Sequence, residues 1–245
     1  MSNWTPQWFG HKAYEWVYRH RDEREASRLA DLIEQVARPE PGSHLLDVAC
    51  GRGRHARVFA RRGYRVTGVD INPDVLEEAR RRSQREGLSI TFLQADMRKL
   101  PFDATFDGVL NLFTSFGYFD TDEEHLQAIQ SMSRALKPGG WLVQDFLNAP
   151  YVRRNLVPRD ERTYGNVHIL QERYISGIFL FKRITLQQEG KTYTFVERVR
   201  LLERKDFEAM YKQAGLVLQS CLGDYEGTPW SPDIPRLILY ARRHA

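Results

Sequence analysis

Cysteine is nearly absent from this 245-residue chain: Cys50 and Cys221 are the only two. Two such residues supply no disulfide framework and no metal-ligand spacing, so a disulfide-stapled secreted scaffold and a thiolate metal centre are both excluded. The seven histidines are scattered, with no pair four apart, and no metal site is expected. No apolar run approaches the roughly 20 residues that span a bilayer, and the first residues lack the charged and apolar regions of a secretory signal. A soluble protein of the reducing cytoplasm, with no membrane partner, is the expectation. The formal net charge is only +4, and the basic residues alternate with acids, so no charged block marks a nucleic-acid tail. Internal repeats and low-complexity stretches are missing as well.

What is present is an ordinary globular composition, 42% hydrophobic and 28% charged, in a length that suits one large domain, with or without an insertion. The first 42 residues read as a helical cap. Arg28, Leu29, Leu32, Ile33 and Val36 recur at helical spacing until Pro39 and Pro41 stop the helix. Trp8, Phe9, Tyr14, Trp16 and Tyr18 crowd the stretch upstream, as core aromatics or as a flap over a ligand.

Strand and helix then alternate. Strands are predicted at 44–49, 65–69, 89–95, 106–112 and 141–146. The helix before the last of them has Leu126, Ile129, Met132 and Leu136 on its inner face, and the turn 138–140 stops it. Such alternation implies an α/β fold, a Rossmann-like, mostly parallel sheet flanked by helices. Ligands in such sheets bind beyond the carboxyl ends of the strands. Asp47, Asp70 and Asp96 all fall at or just past those ends. Between the first strand and its helix runs Gly51-Arg-Gly53-Arg-His-Ala56, which satisfies the dinucleotide pattern G-x-G-x-x-G/A. After Phe146 the periodicity changes: from Tyr164 to Leu202 it is two, and residues 149–202 read as an inserted antiparallel sheet behind the fifth strand, a substrate lid or a dimer contact. With Glu189-Gly190 as a two-residue turn, Leu180 faces Val199, Lys182 faces Glu197, Ile184 faces Phe195 and Leu186 faces Tyr193. A helix face of Phe207, Met210, Tyr211 and Ala214 and two final strands close the α/β part.

Five segments in order resemble the motifs of the class I S-adenosylmethionine-dependent methyltransferases, small-molecule type. They are Leu46-Asp47-Val-Ala-Cys-Gly51-Arg-Gly53, Val66-Thr-Gly-Val-Asp70, Phe92-Leu-Gln-Ala-Asp96-Met97, Phe106-Asp107-Gly-Val-Leu110 and Leu136-Lys-Pro-Gly-Gly140. The resemblance covers 43–148 and 203–243 and implies a cofactor-binding domain built from 43–148 and 203–245. It implies that Gly51 and Gly53 admit the cofactor to the backbone, that Asp47 sits near its methionine arm and that Asp70 accepts both ribose hydroxyls. It also implies that Asp96 accepts from the adenine amine, that Met97 and Ile71 flank the ring, and that Asn111 or Leu112 contacts the cofactor through the backbone.

The loop 111–118 matches neither the Asn/Asp-Pro-Pro-aromatic loop of nucleobase amine methylation nor the Pro-Cys pair of carbon-5 methylation. Thr114, Ser115 and Tyr118 are candidates to line an acceptor pocket, Tyr118 being the one candidate for a catalytic role. Arg183 and Arg198, on the insert face opposite the apolar pairs, are candidates for acceptor binding. The expected reaction is methyl transfer to an amine or hydroxyl of a small molecule by a monomer or homodimer. RNA or protein methylation is the alternative. A dehydrogenase also fits Asp70 placed 19 residues after Gly51, but it accounts for neither Asp47 nor Asp96.

Overall fold

The computed structural model describes residues 8, 11, 13–18 and 22–244. Phe9 and the remainder of the first 21 residues lie outside these. Among the described residues two sheets carry the fold. A seven-stranded sheet has the order β10-β11-β5-β4-β1-β2-β3. It contains β1 (His44–Val48), β2 (Arg65–Asp70), β3 (Ile90–Gln94), β4 (Phe106–Asn111), β5 (Leu136–Leu147), β10 (Leu216–Leu222) and β11 (Arg236–Arg243). Strands β1 to β5 run parallel, whereas β11 lies antiparallel on β5 and β10 antiparallel on β11. From β1 the chain builds outward through β2 and β3, then returns to add β4 and β5 on the other side. The order therefore reverses at the β1/β4 boundary, where a crevice opens beyond the strand ends.

Helices α1 (Ala13–Val17), α2 (Glu23–Ala37), α3 (Arg54–Arg61), α4 (Pro73–Arg85), α5 (Asp122–Ala135), α6 (Ala149–Asn155) and α7 (Arg204–Gln213) complete the described part. Asp22 starts α2 by accepting the Glu25 N–H at 2.9 Å, and the helix ends where Arg38 turns left-handed, just before Pro39. Its buried stripe is Ala26, Leu29, Ala30, Leu32, Ile33 and Ala37. Arg28, expected on that stripe, is exposed and pairs with Glu226. Ion pairs Arg54–Glu25 at 2.9 Å and Arg62–Glu34 at 2.6 Å lash α2 across α3. No helix among the described residues is long and apolar enough to cross a membrane.

Leu136 is not the last inner residue of a helix but the first of β5, opposite Phe106. The cause is local. The α5 helix stops at Ala135 because Leu136 is already extended, so Pro138, Gly139 and Gly140 fall inside the strand segment. Gly108 then lies beside Trp141, and a Cβ at Gly108 would come within 2.3 Å of the indole. Gly108→Ala must therefore displace a buried ring. Such overpacking costs about 1–3 kcal/mol, and the melting temperature is expected to fall by about 2–12 °C. An unshifted melting curve would show that the indole can move freely.

The second sheet has the order β6-β7-β8-β9, built from β6 (Arg159–Tyr164), β7 (Val167–Ser176), β8 (Phe179–Gln188) and β9 (Lys191–Arg200). All its pairings are antiparallel, and the β8–β9 register matches the four expected pairs. Glu189 and Gly190 both take positive φ, 51° and 73°, the turn whose twist suits a two-residue hairpin. One face of this sheet packs Val167, Ile169, Ile184 and Leu186 against Trp8 and Val17.

Candidate functional site

A cavity of about 680 Å³ opens beyond the carboxyl ends of β1, β2 and β4, and its far wall comes from the second sheet and the N-terminal segment. That volume falls within the range of small-molecule and cofactor sites. The loop after β1 forms its floor. Ala49, Gly51 and Gly53 all have positive φ, and the loop is pinned where the Cys50 N–H donates to the Val69 carbonyl at 2.9 Å. Gly51 lines the cavity. Gly53 does not. It starts α3, and a Cβ there would press on Phe92 at 3.1 Å and Ala79 at 3.2 Å, so its role in the structure is close packing.

Three carboxylates reach this cavity, each held differently. Asp47 is 2% exposed, and its Oδ2 has no hydrogen-bond partner among the described residues. Burial, reinforced by the neighbouring Asp70, pushes its carboxyl up to about 7. Asp70 accepts the Gly51 N–H through Oδ2 and the Asn72 N–H through Oδ1, both at 2.9 Å. Burial raises its carboxyl too, against these hydrogen bonds. Asn72 in turn caps α4 by accepting the Asp74 N–H at 2.9 Å. Asp96 is gripped by Arg98, whose backbone N–H donates to Oδ1 at 2.9 Å and whose guanidinium donates to Oδ2 at 2.6 Å. Burial opposes ionisation of Asp96, but the Arg98 contacts outweigh it and hold the carboxyl below its ordinary value. Ile71 and Met97 line the same region, Ile71 with 37% of its surface exposed.

Leu112 lines the cavity, whereas Asn111 does not. Asn111 is buried between strands, donating to the Val48 carbonyl at 3.2 Å and accepting from Gln144 at 2.9 Å, which makes it a strut of the sheet. Thr114, Ser115 and Tyr118 form part of the wall. The Ser115 hydroxyl donates to the Leu112 carbonyl at 2.7 Å and so braces its own loop.

That loop is strained. Phe113 and Thr114, neither of them glycine, take φ of 63° and 59° in succession. Left-handed backbone costs roughly 1–2 kcal/mol per such residue. Asp145, on β5 with its side chain fully buried, answers the strain. Its Oδ2 accepts the Phe113 N–H at 3.1 Å and the Tyr225 hydroxyl at 2.9 Å. Its Oδ1 accepts Arg236 Nε at 2.8 Å and Nη2 at 2.5 Å, and its carbonyl accepts the Thr114 N–H at 2.8 Å. Hydrogen bonds to a charged group contribute about 1.5–3 kcal/mol each, enough to hold the turn.

The second sheet corrects the acceptor candidates. Arg183 and Arg198 lie on the face turned away from the cavity. Arg183 is exposed, and Arg198 pairs with Asp120 while its guanidinium lies over the Phe179 ring. Residues one position along, Leu180, Lys182, Glu197 and Val199, face the cavity instead, joined by Gln171 and Arg173. Alternation separates the two faces of a strand but does not say which face is inward. Lys182 and Glu197 meet the Tyr18 hydroxyl, which receives from Lys182 at 2.8 Å and donates to Glu197 at 2.6 Å. Trp8 Nε1 also donates to Glu197, at 2.5 Å. The N-terminal segment is thereby tied to the second sheet along the far wall. Arg236, Phe113 and His55 are further wall residues that the sequence reading missed. Phe113 belongs to the loop after β4 and His55 to the glycine segment after β1, whereas Arg236, far along the chain on β11, carries no local signal.

Residues 45–140 match the family model for a methyltransferase domain. The dTDP-3-amino-3,4,6-trideoxy-alpha-D-glucopyranose N,N-dimethyltransferase of Streptomyces venezuelae is 31% identical over 214 residues, spanning 83% of this chain and 86% of that protein. The solved structure of SAM-bound CalS10, an amino pentose methyltransferase from Micromonospora echinaspora, superposes with a TM-score of 0.74. It is 27% identical, over 95% of this chain and 97% of that one. An S-adenosylmethionine-dependent methyltransferase from Clostridium acetobutylicum reaches a TM-score of 0.83 at 17% identity, over 95% and 97% of the two chains, a likeness of fold. With the motif-bearing strand ends gathered around one cavity, the chain belongs to the class I S-adenosylmethionine-dependent methyltransferases.

Proposed function

We propose that this enzyme methylates the amine of a small polar molecule of the amino-sugar nucleotide class. The observation that carries the reading is the polar far wall of the cavity. There Lys182, Glu197 and Arg173 present polar groups from the second sheet, and Arg236 of β11 also lines the cavity, which the second sheet and the N-terminal segment wall on this side. The amino-sugar relatives give the acceptor class its chemistry. A polymer substrate would favour an open, continuous basic stripe. The wall cations here are matched instead, Arg173 by Asp160 at 2.5 Å and Arg236 by Asp145 at 2.5 Å.

The residues present fit the cofactor. Asp47 Oδ2, buried and unpartnered at the cavity wall, suits an ammonium, and a cation there would offset the repulsion between Asp47 and Asp70. S-adenosylmethionine supplies a methyl group on a positively charged sulfur. In the proposed site Asp70 accepts from the ribose hydroxyls while keeping its backbone partners, since each carboxylate oxygen has more than one acceptor site. Asp96 accepts from the adenine amine, and Ile71 and Met97 cover the ring. Thr114, Ser115 and Tyr118 bound the acceptor side and hold the neutral amine in line with the methyl group. Such positioning can lower a barrier by roughly 7–11 kcal/mol in favourable systems. The insert, 149–202, acts as a roof over the acceptor side.

Incubation with S-adenosylmethionine and dTDP-3-amino-3,4,6-trideoxy-α-D-glucopyranose, followed by mass spectrometry, tests the reading. Gain of one or two methyl groups on the sugar amine is the expected outcome. Methylation of RNA or protein, with no transfer to a free amino sugar, would overturn it.

A further inference from the structure

We infer that Asp145 is a positioning residue for the acceptor: its carboxylate holds the Phe113 N–H at the start of the left-handed turn and fixes Arg236 beside Thr114, so this wall is shaped before the acceptor arrives. The inference rests on the proposal that loop 111–118 bounds the acceptor. Four observations converge on it. Asp145 is fully buried, yet all four hydrogen bonds to its carboxylate come from donors: two from Arg236, one from Tyr225 and one from the Phe113 backbone. Phe113 and Thr114 hold a backbone conformation that their side chains disfavour. Arg236 reaches the same turn a second way, with Nη1 at 3.4 Å from the Thr114 hydroxyl and its guanidinium 5.4 Å from the Phe113 ring centre. Phe113, Thr114 and Arg236 all line the cavity, whereas Asp145 does not.

The chemistry calls for a carboxylate. Four donors need an acceptor-only group, and among side chains of this size only aspartate provides one. Asparagine could keep its oxygen on Arg236 and donate its amide to the Tyr225 hydroxyl, which can accept. It would then take the acceptor away from the Phe113 N–H. Asp145→Asn therefore acts on the turn more than on the rest of the network. Its effects should fall on the acceptor and spare the cofactor arm held by Asp47, Asp70 and Asp96.

The test compares Asp145→Asn with the unaltered enzyme by three measurements. These are hydrogen exchange across 111–119, calorimetric titration with S-adenosylhomocysteine, and initial rates with dTDP-3-amino-3,4,6-trideoxy-α-D-glucopyranose at saturating S-adenosylmethionine. Exchange in 111–119 is expected to quicken at least about tenfold and kcat/KM for the acceptor to fall at least about thirtyfold, with the S-adenosylhomocysteine Kd within about threefold. Arg236→Lys keeps a cation beside Asp145 but loses the two-point grip, and it carries the test if Asp145→Asn does not fold. The same pattern, at about threefold or more in exchange, is expected of it. Unchanged exchange in 111–119, or acceptor and cofactor losses of equal size, would overturn the inference. If the unaltered enzyme leaves this acceptor untouched, the acceptor class fails, and hydrogen exchange still decides the role of Asp145.

Discussion

Asp70→Ala is expected to raise the Kd for S-adenosylmethionine by about two orders of magnitude while leaving the fold in place. Hydrogen bonds to a charged acceptor contribute about 1.5–3 kcal/mol each, and every 1.4 kcal/mol is a factor of about ten in affinity. Losing two ribose contacts would exceed a hundredfold, but water entering beside alanine recovers part of the loss. The same substitution releases the Gly51 and Asn72 amides that Asp70 now holds, which loosens the glycine loop and adds to the effect. Stability moves less, because a buried carboxylate with a raised pKa is itself a burden on the folded state. Calorimetry with S-adenosylhomocysteine, alongside a melting curve, separates the two. An unchanged Kd would mean that the ribose is held elsewhere.

The second large effect is a pH dependence centred on Asp47. Burial, with Asp70 beside it, pushes its carboxyl up to about 7 in the folded protein, against 3.8 for an ordinary aspartate. The folded chain therefore keeps a proton that the unfolded chain releases. Stability from this residue is full below about pH 4 and is lost as pH rises toward about 7, a total of about 4 kcal/mol at 1.36 kcal/mol per unit. Between pH 5 and pH 8 the loss is about 3 kcal/mol, or about 6–12 °C in Tm. Asp47→Asn, which imitates the protonated acid in shape and charge, should flatten that slope. Saturation with S-adenosylmethionine should flatten it in the unaltered protein, because a bound cation favours the ionised carboxylate. Melting curves at the two pH values, for both proteins and with and without cofactor, check this. Equal slopes in the two proteins would show that Asp47 carries no charge penalty.

These predictions draw on residues of unequal legibility. Asp47, Asp70 and Asp96 could be named from their positions because each sits at the end of a parallel strand, and strand ends are where a twisted α/β sheet opens. The β8–β9 register was equally local. A two-residue turn and alternation at period two align Leu180 with Val199 and Lys182 with Glu197, and the observed pairing agrees. Gly53 belongs to the first motif and Asn111 opens the loop after the fourth, but both serve the packing beneath the cavity. A motif marks a stretch of backbone without saying which side chains turn outward.

The order of strands and helices, the glycine turn after β1 and the hairpin register follow from nearest-neighbour chemistry: periodicity, turn residues and caps. The identity of the cavity's far wall does not. Lys182 and Glu197 became wall residues, and Arg183 and Arg198 did not, only when the second sheet packed one of its two faces toward the N-terminal segment. Asp145 met Arg236 across 91 positions of sequence, and Tyr18 met Glu197 across 179. Contacts over such separations carry no local signature, because the chain between them sets neither distance nor direction. They arise from how layers stack, and it is those contacts that enclose the acceptor side of the site.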